Sequence, residues 1–157
     1  MAAERASAKR MVLALALATW LAAAGAAPLF NAPDELLDPQ KAFRISARAL
    51  DGKRVEIEFK IAVGYYLYRN RFSFSTESGE PLAEVEMPRG KIKEDAFFGK
   101  SETFRDLVRI RMTVAPRDAA RGSVNLKVVS QGCADVGVCY APLEQVVRVR
   151  LSSGRSQ

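Results

Sequence analysis

The run Arg54-Val55-Glu56-Ile57-Glu58-Phe59-Lys60-Ile61-Ala62-Val63 alternates apolar and mostly charged residues. Val55, Ile57, Phe59, Ile61 and Val63 fall on one side, and Arg54, Glu56, Glu58, Lys60 and Ala62 on the other. A period of two lines up the apolar side chains only on a pleated strand, since a helix would scatter them around its axis. The stretch therefore reads as one long half-buried strand, with its charged face toward water. Upstream, Phe43, Ile45 and Ala47 repeat the alternation, and Asp51-Gly52 supplies a turn between the two runs. Downstream, strands are expected at Arg71–Thr76, Ala83–Met87, Leu107–Val114, Ser123–Ser130 and Gln145–Leu151. Ser78-Gly79, Pro88-Arg89-Gly90, Pro116 and Gly122 separate them. Only Ala115–Arg121 and Asp34–Leu37 allow even a turn of helix. About seven short antiparallel strands at this spacing predict an all-β fold, an immunoglobulin-like antiparallel β-sandwich.

The ends of the chain carry different signals. Met1–Arg10 is basic through Arg5, Lys9 and Arg10, an apolar run follows from Met11 to Ala23, and Ala24-Gly25-Ala26 is a small-residue site. That order is that of a secretory signal peptide over residues 1–26, with cleavage before Ala27. The apolar run is shorter than the ~20 residues that span a bilayer, which favours cleavage over retention as an anchor. Residues 27–40 contain Pro28, Pro33 and Pro39 and no sustained period, and read as a leader lying on or beside the domain. The domain proper is expected over 41–152 and a short tail over 153–157. No other stretch is apolar and long enough to span a membrane, so the mature chain should be an exported monomer without a transmembrane span. The net charge of +6 comes from bases interspersed with acids, which describes a mixed solvated surface and not a nucleic-acid site.

Few residues can carry chemistry. The chain has no histidine, which removes Ser-His and Cys-His catalysis and the usual zinc sites, and no glycine-rich loop follows a strand to hold a phosphate. No metal and no cofactor is expected. The adjacent acids Glu94-Asp95 read as solvated loop charges. The two sulfurs remain, within Gln131-Gly132-Cys133-Ala134-Asp135-Val136-Gly137-Val138-Cys139-Tyr140-Ala141-Pro142. Gly132, Asp135 and Gly137 suit a tight reversal that brings Cys133 and Cys139 together, and an oxidising compartment would bond them. As a staple the bond contributes little: a loop of roughly seven residues is worth about 2.4 kcal/mol in chain entropy, against about 4.7 for a hundred. Spacing alone leaves a structural staple and a reactive pair both open. Two further features are equally open. Tyr65, Tyr66 and Tyr68 follow the long strand, with Tyr66 and Tyr68 on one face and Tyr65 on the other. Asp95-Ala96-Phe97-Phe98-Gly99-Lys100 is a charge-flanked loop whose phenylalanines either plug the core or cover something.

Taken together, GYYLYR (Gly64–Arg69), FFGKSETFRD (Phe97–Asp106) and QGCADVGVCYAP (Gln131–Pro142) resemble the N-terminal periplasmic domains of the thiol:disulfide interchange protein DsbD, over most of Phe43 to Leu151. The resemblance implies an immunoglobulin-like sandwich with a redox-active pair at one end. It implies electrons arriving from a thioredoxin-like donor and leaving for periplasmic partners such as disulfide isomerases and cytochrome c maturation proteins. By position, Cys139 corresponds to the cysteine that forms the mixed disulfide, and Cys133 to the resolving one. Asp95, Phe97, Phe98 and Gly99 correspond to a cap loop in which Phe97 shields the pair, and Tyr66 and Tyr68 to residues lining the site. Ala96 departs from the second acid usual in that cap. Family proteins continue into a membrane-embedded carrier and a thioredoxin-like domain, whereas this sequence stops at Gln157. The expected partners are therefore thioredoxin-fold proteins and a separate membrane electron carrier.

The reaction so implied is cofactor-free thiol–disulfide exchange. With no histidine or long helix to stabilise a thiolate, the reduced pair should be sluggish until a partner docks and displaces the Phe97 loop. Two alternatives accompany this reading: a secreted binding module with a purely structural disulfide, and a redox-sensing subunit of a membrane electron carrier.

Overall fold

The computed structural model describes residues 36–80 and 82–151. The expected signal peptide, most of the leader and the tail lie outside the described residues.

Twelve strands form among the described residues: β1 (Phe43–Ala49), β2 (Arg54–Ile61), β3 (Tyr65–Tyr68), β4 (Ser73–Thr76), β5 (Ala83–Glu86), β6 (Lys91–Asp95), β7 (Gly99–Phe104), β8 (Leu107–Thr113), β9 (Ser123–Ser130), β10 (Gly132–Ala134), β11 (Val138–Cys139) and β12 (Leu143–Arg150). Two single-turn helices accompany them, α1 (Pro39–Ala42) and α2 (Pro116–Ala119). All strand pairs are antiparallel, in sheets ordered β1-β2-β8-β5, β11-β10-β3-β7-β6 and β12-β9-β4. The alternation read from the sequence sets the core. Val55, Ile57, Phe59 and Ile61 of β2 and Val108, Ile110 and Met112 of β8 are buried in one cluster with Val124, Leu126 and Val128 of β9. Two sheets that bury their apolar faces against each other make the sandwich that the alternation predicts.

The long strand departs from its sequence reading at two points. It ends at Ile61, and Val63 is 92% exposed. The Tyr65 N–H bonds back to the Ala62 carbonyl at 3.1 Å, so Val63 sits on a turn corner that Gly64 closes at φ +83°. Its outer face is also less watery than charge alone suggests. β2 is a central strand, and Glu56 stands directly opposite Arg48 on β1 and Arg111 on β8. Arg48 bonds its carboxylate at 2.7 Å and Arg111 at 3.0 Å, and the glutamate is 1% exposed. A cross-strand pair on each side repays the burial of the charge.

Glu56 gives a pH prediction. Burial works to raise its pKa, but the Arg48 and Arg111 hydrogen bonds outweigh it and hold the carboxyl below its ordinary 4.5. A pKa lowered in the folded state means stability that is present above the ordinary value and lost as pH falls toward the depressed one. The thermal unfolding midpoint should therefore fall on acidification from about pH 6 to about pH 3, and Glu56→Gln should flatten that fall. At neutral pH the substitution should cost about 1–2 kcal/mol, less than a fully buried pair, because the arginines it leaves behind are exposed and stay hydrated. A calorimetric pH series on both proteins measures it.

Candidate functional site

Gly132 to Cys139 form a hairpin of β10 and β11 with a three-residue loop, Asp135-Val136-Gly137. The Gly137 N–H closes the turn on the Ala134 carbonyl at 3.0 Å, and Gly137 takes φ +88°, which a side chain would strain. Cys133 and Cys139 lie directly opposite, with Cα atoms 4.0 Å apart, and are bonded. The Tyr140 N–H donates to the Gly132 carbonyl at 3.0 Å, so the flanking residues carry the ladder bond and the cysteines occupy the position where side chains approach most closely. Their exposure differs: Cys133 is fully buried, while Cys139, on the outer strand of the hairpin, is half-buried.

β10 adds to β3, pairing Cys133 with Tyr66. Because β3 lies between β10 and β7, all four of its residues are buried, and its alternation divides two environments. Tyr65 and Leu67 enter the main core, whereas Tyr66 and Tyr68 turn to the other face and form a second cluster with Cys133. The tyrosine hydroxyls are therefore not at a wet edge. Tyr68 Oη lies 3.3 Å from Cys133 Sγ and donates to Asp95 Oδ2 at 2.6 Å, and Tyr66 Oη donates to the same oxygen at 3.3 Å. Burial first, and then the Asp95 contact, raises the Tyr68 pKa well above that of a free phenol, so it remains a donor.

Neither acid is a loop charge: Asp95 is half-buried at the end of β6, and Glu94, exposed to water, lies in β6 opposite Lys100 of β7. Asp95 ends β6 opposite Gly99 of β7, so the Phe-Phe loop is the tip of a second hairpin, with Gly99 at φ +62°. Asp95 Oδ1 accepts the N–H groups of Phe97 at 3.0 Å and Phe98 at 2.9 Å. Burial pushes its pKa up, but the Tyr68 hydroxyl, the two amides and the Tyr66 hydroxyl overcome this and hold it below the usual 3.8. One carboxylate thus ties the loop tip to the tyrosines beside the disulfide. The two phenylalanines part at the tip: Phe98 packs on the Tyr66–Tyr68–Cys133 cluster, its ring 4.7 Å from that of Tyr68, while Phe97 is 51% exposed.

Several contacts here carried no local signal in the sequence. Arg105 and Asp135 are far apart in the chain but form a bidentate pair at 2.6 and 2.9 Å, pinning the hairpin loop to the end of β7. Arg105 and Lys93 stand 5.1 and 4.9 Å from the Tyr66 ring centre, and Arg71 stands 4.1 Å from that of Phe98. Leu37 donates its N–H to Tyr65 Oη at 2.8 Å and accepts from Tyr140 Oη at 2.6 Å, so the end of the leader lies on the domain beside the hairpin. Among the described residues no group of histidine, cysteine and acidic side chains is arranged to hold a metal. The chemistry on offer is that of one covered disulfide with one sulfur nearer the surface.

Comparison with known proteins matches this arrangement. The family model "Thiol:disulfide interchange protein DsbD, N-terminal" matches residues 33–151. The DsbD of Ralstonia nicotianae is 45% identical over 121 residues, which cover 76% of this chain and 19% of that protein. DsbD 1 of Pseudomonas aeruginosa is 38% identical over 107 residues, covering 68% of this chain and 18% of the relative. The chain therefore spans about a fifth of the length of these relatives. The crystal structure of the Neisseria meningitidis DsbD N-terminal domain in the reduced form superimposes with a TM-score of 0.66 at 31% identity, covering 75% of this chain and 92% of that one. The complex between the DsbD N-terminal and PilB N-terminal domains of the same organism gives 0.59 at 31%, covering 71% and 85%. With the family model over most of its length and a relative 45% identical over 76% of it, the chain belongs to the DsbD N-terminal domain family.

Proposed function

We propose that the chain is a thiol:disulfide oxidoreductase domain that relays electrons through Cys133–Cys139, from a thioredoxin-like or membrane-embedded donor to periplasmic oxidoreductases. The observation that carries this reading is the unequal burial of the two cysteines, with Cys133 fully buried and Cys139 only partly so. A donor thiolate attacks Cys139 Sγ, a mixed disulfide forms, and the Cys133–Cys139 bond breaks with its electron pair on Cys133. The donor's second thiolate then attacks its own sulfur in the mixed disulfide and releases Cys139. Two electrons and, after protonation, two protons have moved, and no cofactor takes part. Passing them on runs the same steps backward, with Cys139 attacking and Cys133 resolving. Tyr66 and Tyr68 line the pair. The loop of Asp95, Phe97, Phe98 and Gly99 is the cover that a docking partner displaces.

The partners are thioredoxin-fold proteins and a membrane electron carrier, and the complex of a relative with a PilB domain supports recognition of a protein rather than a small thiol. Residues 1–26 act as a cleaved export signal, which delivers a monomeric domain of residues 41–152 to the periplasm, with 27–40 as leader and 153–157 as tail. No helix among the described residues is long and apolar enough to cross a membrane.

Trapping tests the reading. Cys133→Ser, produced in the periplasm of a bacterial host, should capture thioredoxin-fold proteins through Cys139 in a bond that reductant cleaves. If the purified parent disulfide resists thioredoxin-fold dithiols and the trap stays empty, the bond is a staple in a binding module. Capture without catalytic turnover of a partner would favour the redox sensor.

A further inference from the structure

Arg71 closes the single 3-10 turn Arg69–Arg71 that leads from β3 into β4, and it reaches across to the tip of the β6–β7 hairpin. Its guanidinium carbon stands 4.1 Å from the centre of the Phe98 ring. The same ring meets Tyr68 edge-on at 4.7 Å, with an angle of 78° between planes. Phe98 is thus held by the tyrosine that contacts Cys133 and by the arginine. The neighbouring arginines are committed to carboxylates, Arg69 to Glu102 and Arg105 to Asp135. Arg71 is exposed, and among the described residues no carboxylate pairs with it. A solvent-facing arginine that lies on a ring and on no acid is placed by the attraction of the cation for the π face.

We propose that Arg71 is a positioning residue that latches Phe98 over the cysteine pair. The latch deepens the exchange reading above and rests on it for its purpose. Asp95 holds the backbone of the loop tip through the Phe97 and Phe98 amides, but that contact leaves the Phe98 side chain free to turn. Arg71 restricts the turn from outside the hairpin. Opening the cover therefore requires separating this cation from the ring in addition to parting the ring from Tyr68, and the added contact is small enough for a docking partner to displace yet large enough to slow chance encounters.

The test compares the reduced forms of the parent, Arg71→Lys and Arg71→Gln in their reaction with dipyridyl disulfide, a neutral oxidant whose approach the lost charge does not bias. Arg71→Gln should react about twofold to fivefold faster than the parent, the range that loss of one exposed cation–π contact allows, with Arg71→Lys between them. All three should melt within about 2 °C of one another, because an exposed side chain contributes little to global stability. In a Phe98→Leu background, Arg71→Gln should add nothing. Equal rates for Arg71→Gln and the parent, or a full Arg71→Gln effect in the Phe98→Leu background, would overturn the latch. A parent disulfide inert to thioredoxin-fold dithiols, with the oxidant rates still separated, would instead sink the exchange function and leave the latch standing.

Discussion

Cys139→Ser protein should exchange no disulfide with a thioredoxin-fold dithiol, a loss of at least about a thousandfold, yet melt within about 10 °C of the parent. The two numbers come from different physics. Exchange needs the bond itself, and without Cys139 the remaining sulfur, Cys133, is fully buried beside Tyr66 and Tyr68. Stability needs the bond only as a constraint on the unfolded chain. It joins residues separated by 6 in sequence, a loop for which chain entropy allows about 2.4 kcal/mol. Even that is shared, because the Gly137–Ala134 and Tyr140–Gly132 backbone bonds already close the hairpin and β3 already pairs with β10. Alkylation of cysteines during incubation with a reduced thioredoxin-fold protein measures the first quantity, and calorimetry the second. A drop in melting temperature far beyond 10 °C, with no exchange to lose in the parent, would make the disulfide a staple.

The larger structural effect is expected from a residue with no chemistry. Gly132→Ala should destabilise the domain by about 3 kcal/mol, near the upper end for overpacking, and partly uncouple the site from its scaffold. A Cβ at Gly132 would overlap the Tyr66 carbonyl oxygen and lie 2.7 Å from Phe43 Cζ and 2.9 Å from Leu67 Cδ2. The carbonyl belongs to the strand that pairs with Cys133, and Phe43 is held edge-on by Tyr65 and Tyr140. The methyl group can be accommodated only by moving β10 off β3, which draws Cys133 from Tyr68. Two readouts should therefore change together: a lower unfolding midpoint and faster reaction of the reduced cysteines with small oxidants. A midpoint within about 2 °C of the parent would mean that the strands yield without cost, and that the close approach does not hold the site.

Residues whose neighbours lie along the chain were legible in advance. Alternation in Val55–Ile61 and in Val108–Met112 foretold two strands and the side each would bury, since the pleat makes side-chain direction a local property. The turn residues Gly132, Asp135 and Gly137 marked the reversal that joins the cysteines. The strands that escaped notice were those whose pattern comes from pairing. Lys91–Asp95 is half to fully exposed and Gly99–Phe104 has no clean period, so only their mutual ladder makes them a hairpin. The same reason hid β3: buried on both faces, it reads as an aromatic run with no alternation of polarity.

By itself the sequence determined the all-β class, the candidate chemistry of a lone cysteine pair and, through three motifs in order, the family. Each rests on residue type and short-range spacing, which folding does not alter. What only the tertiary structure decided is which groups meet across long stretches of chain. Asp95 reaches Tyr68, Arg105 reaches Asp135, Arg71 reaches Phe98, and Glu56 is buried between two arginines. Strand order puts β3 between the disulfide hairpin and the Phe-Phe hairpin, and order is set by how whole sheets bury their surface, a property that no local window of sequence contains.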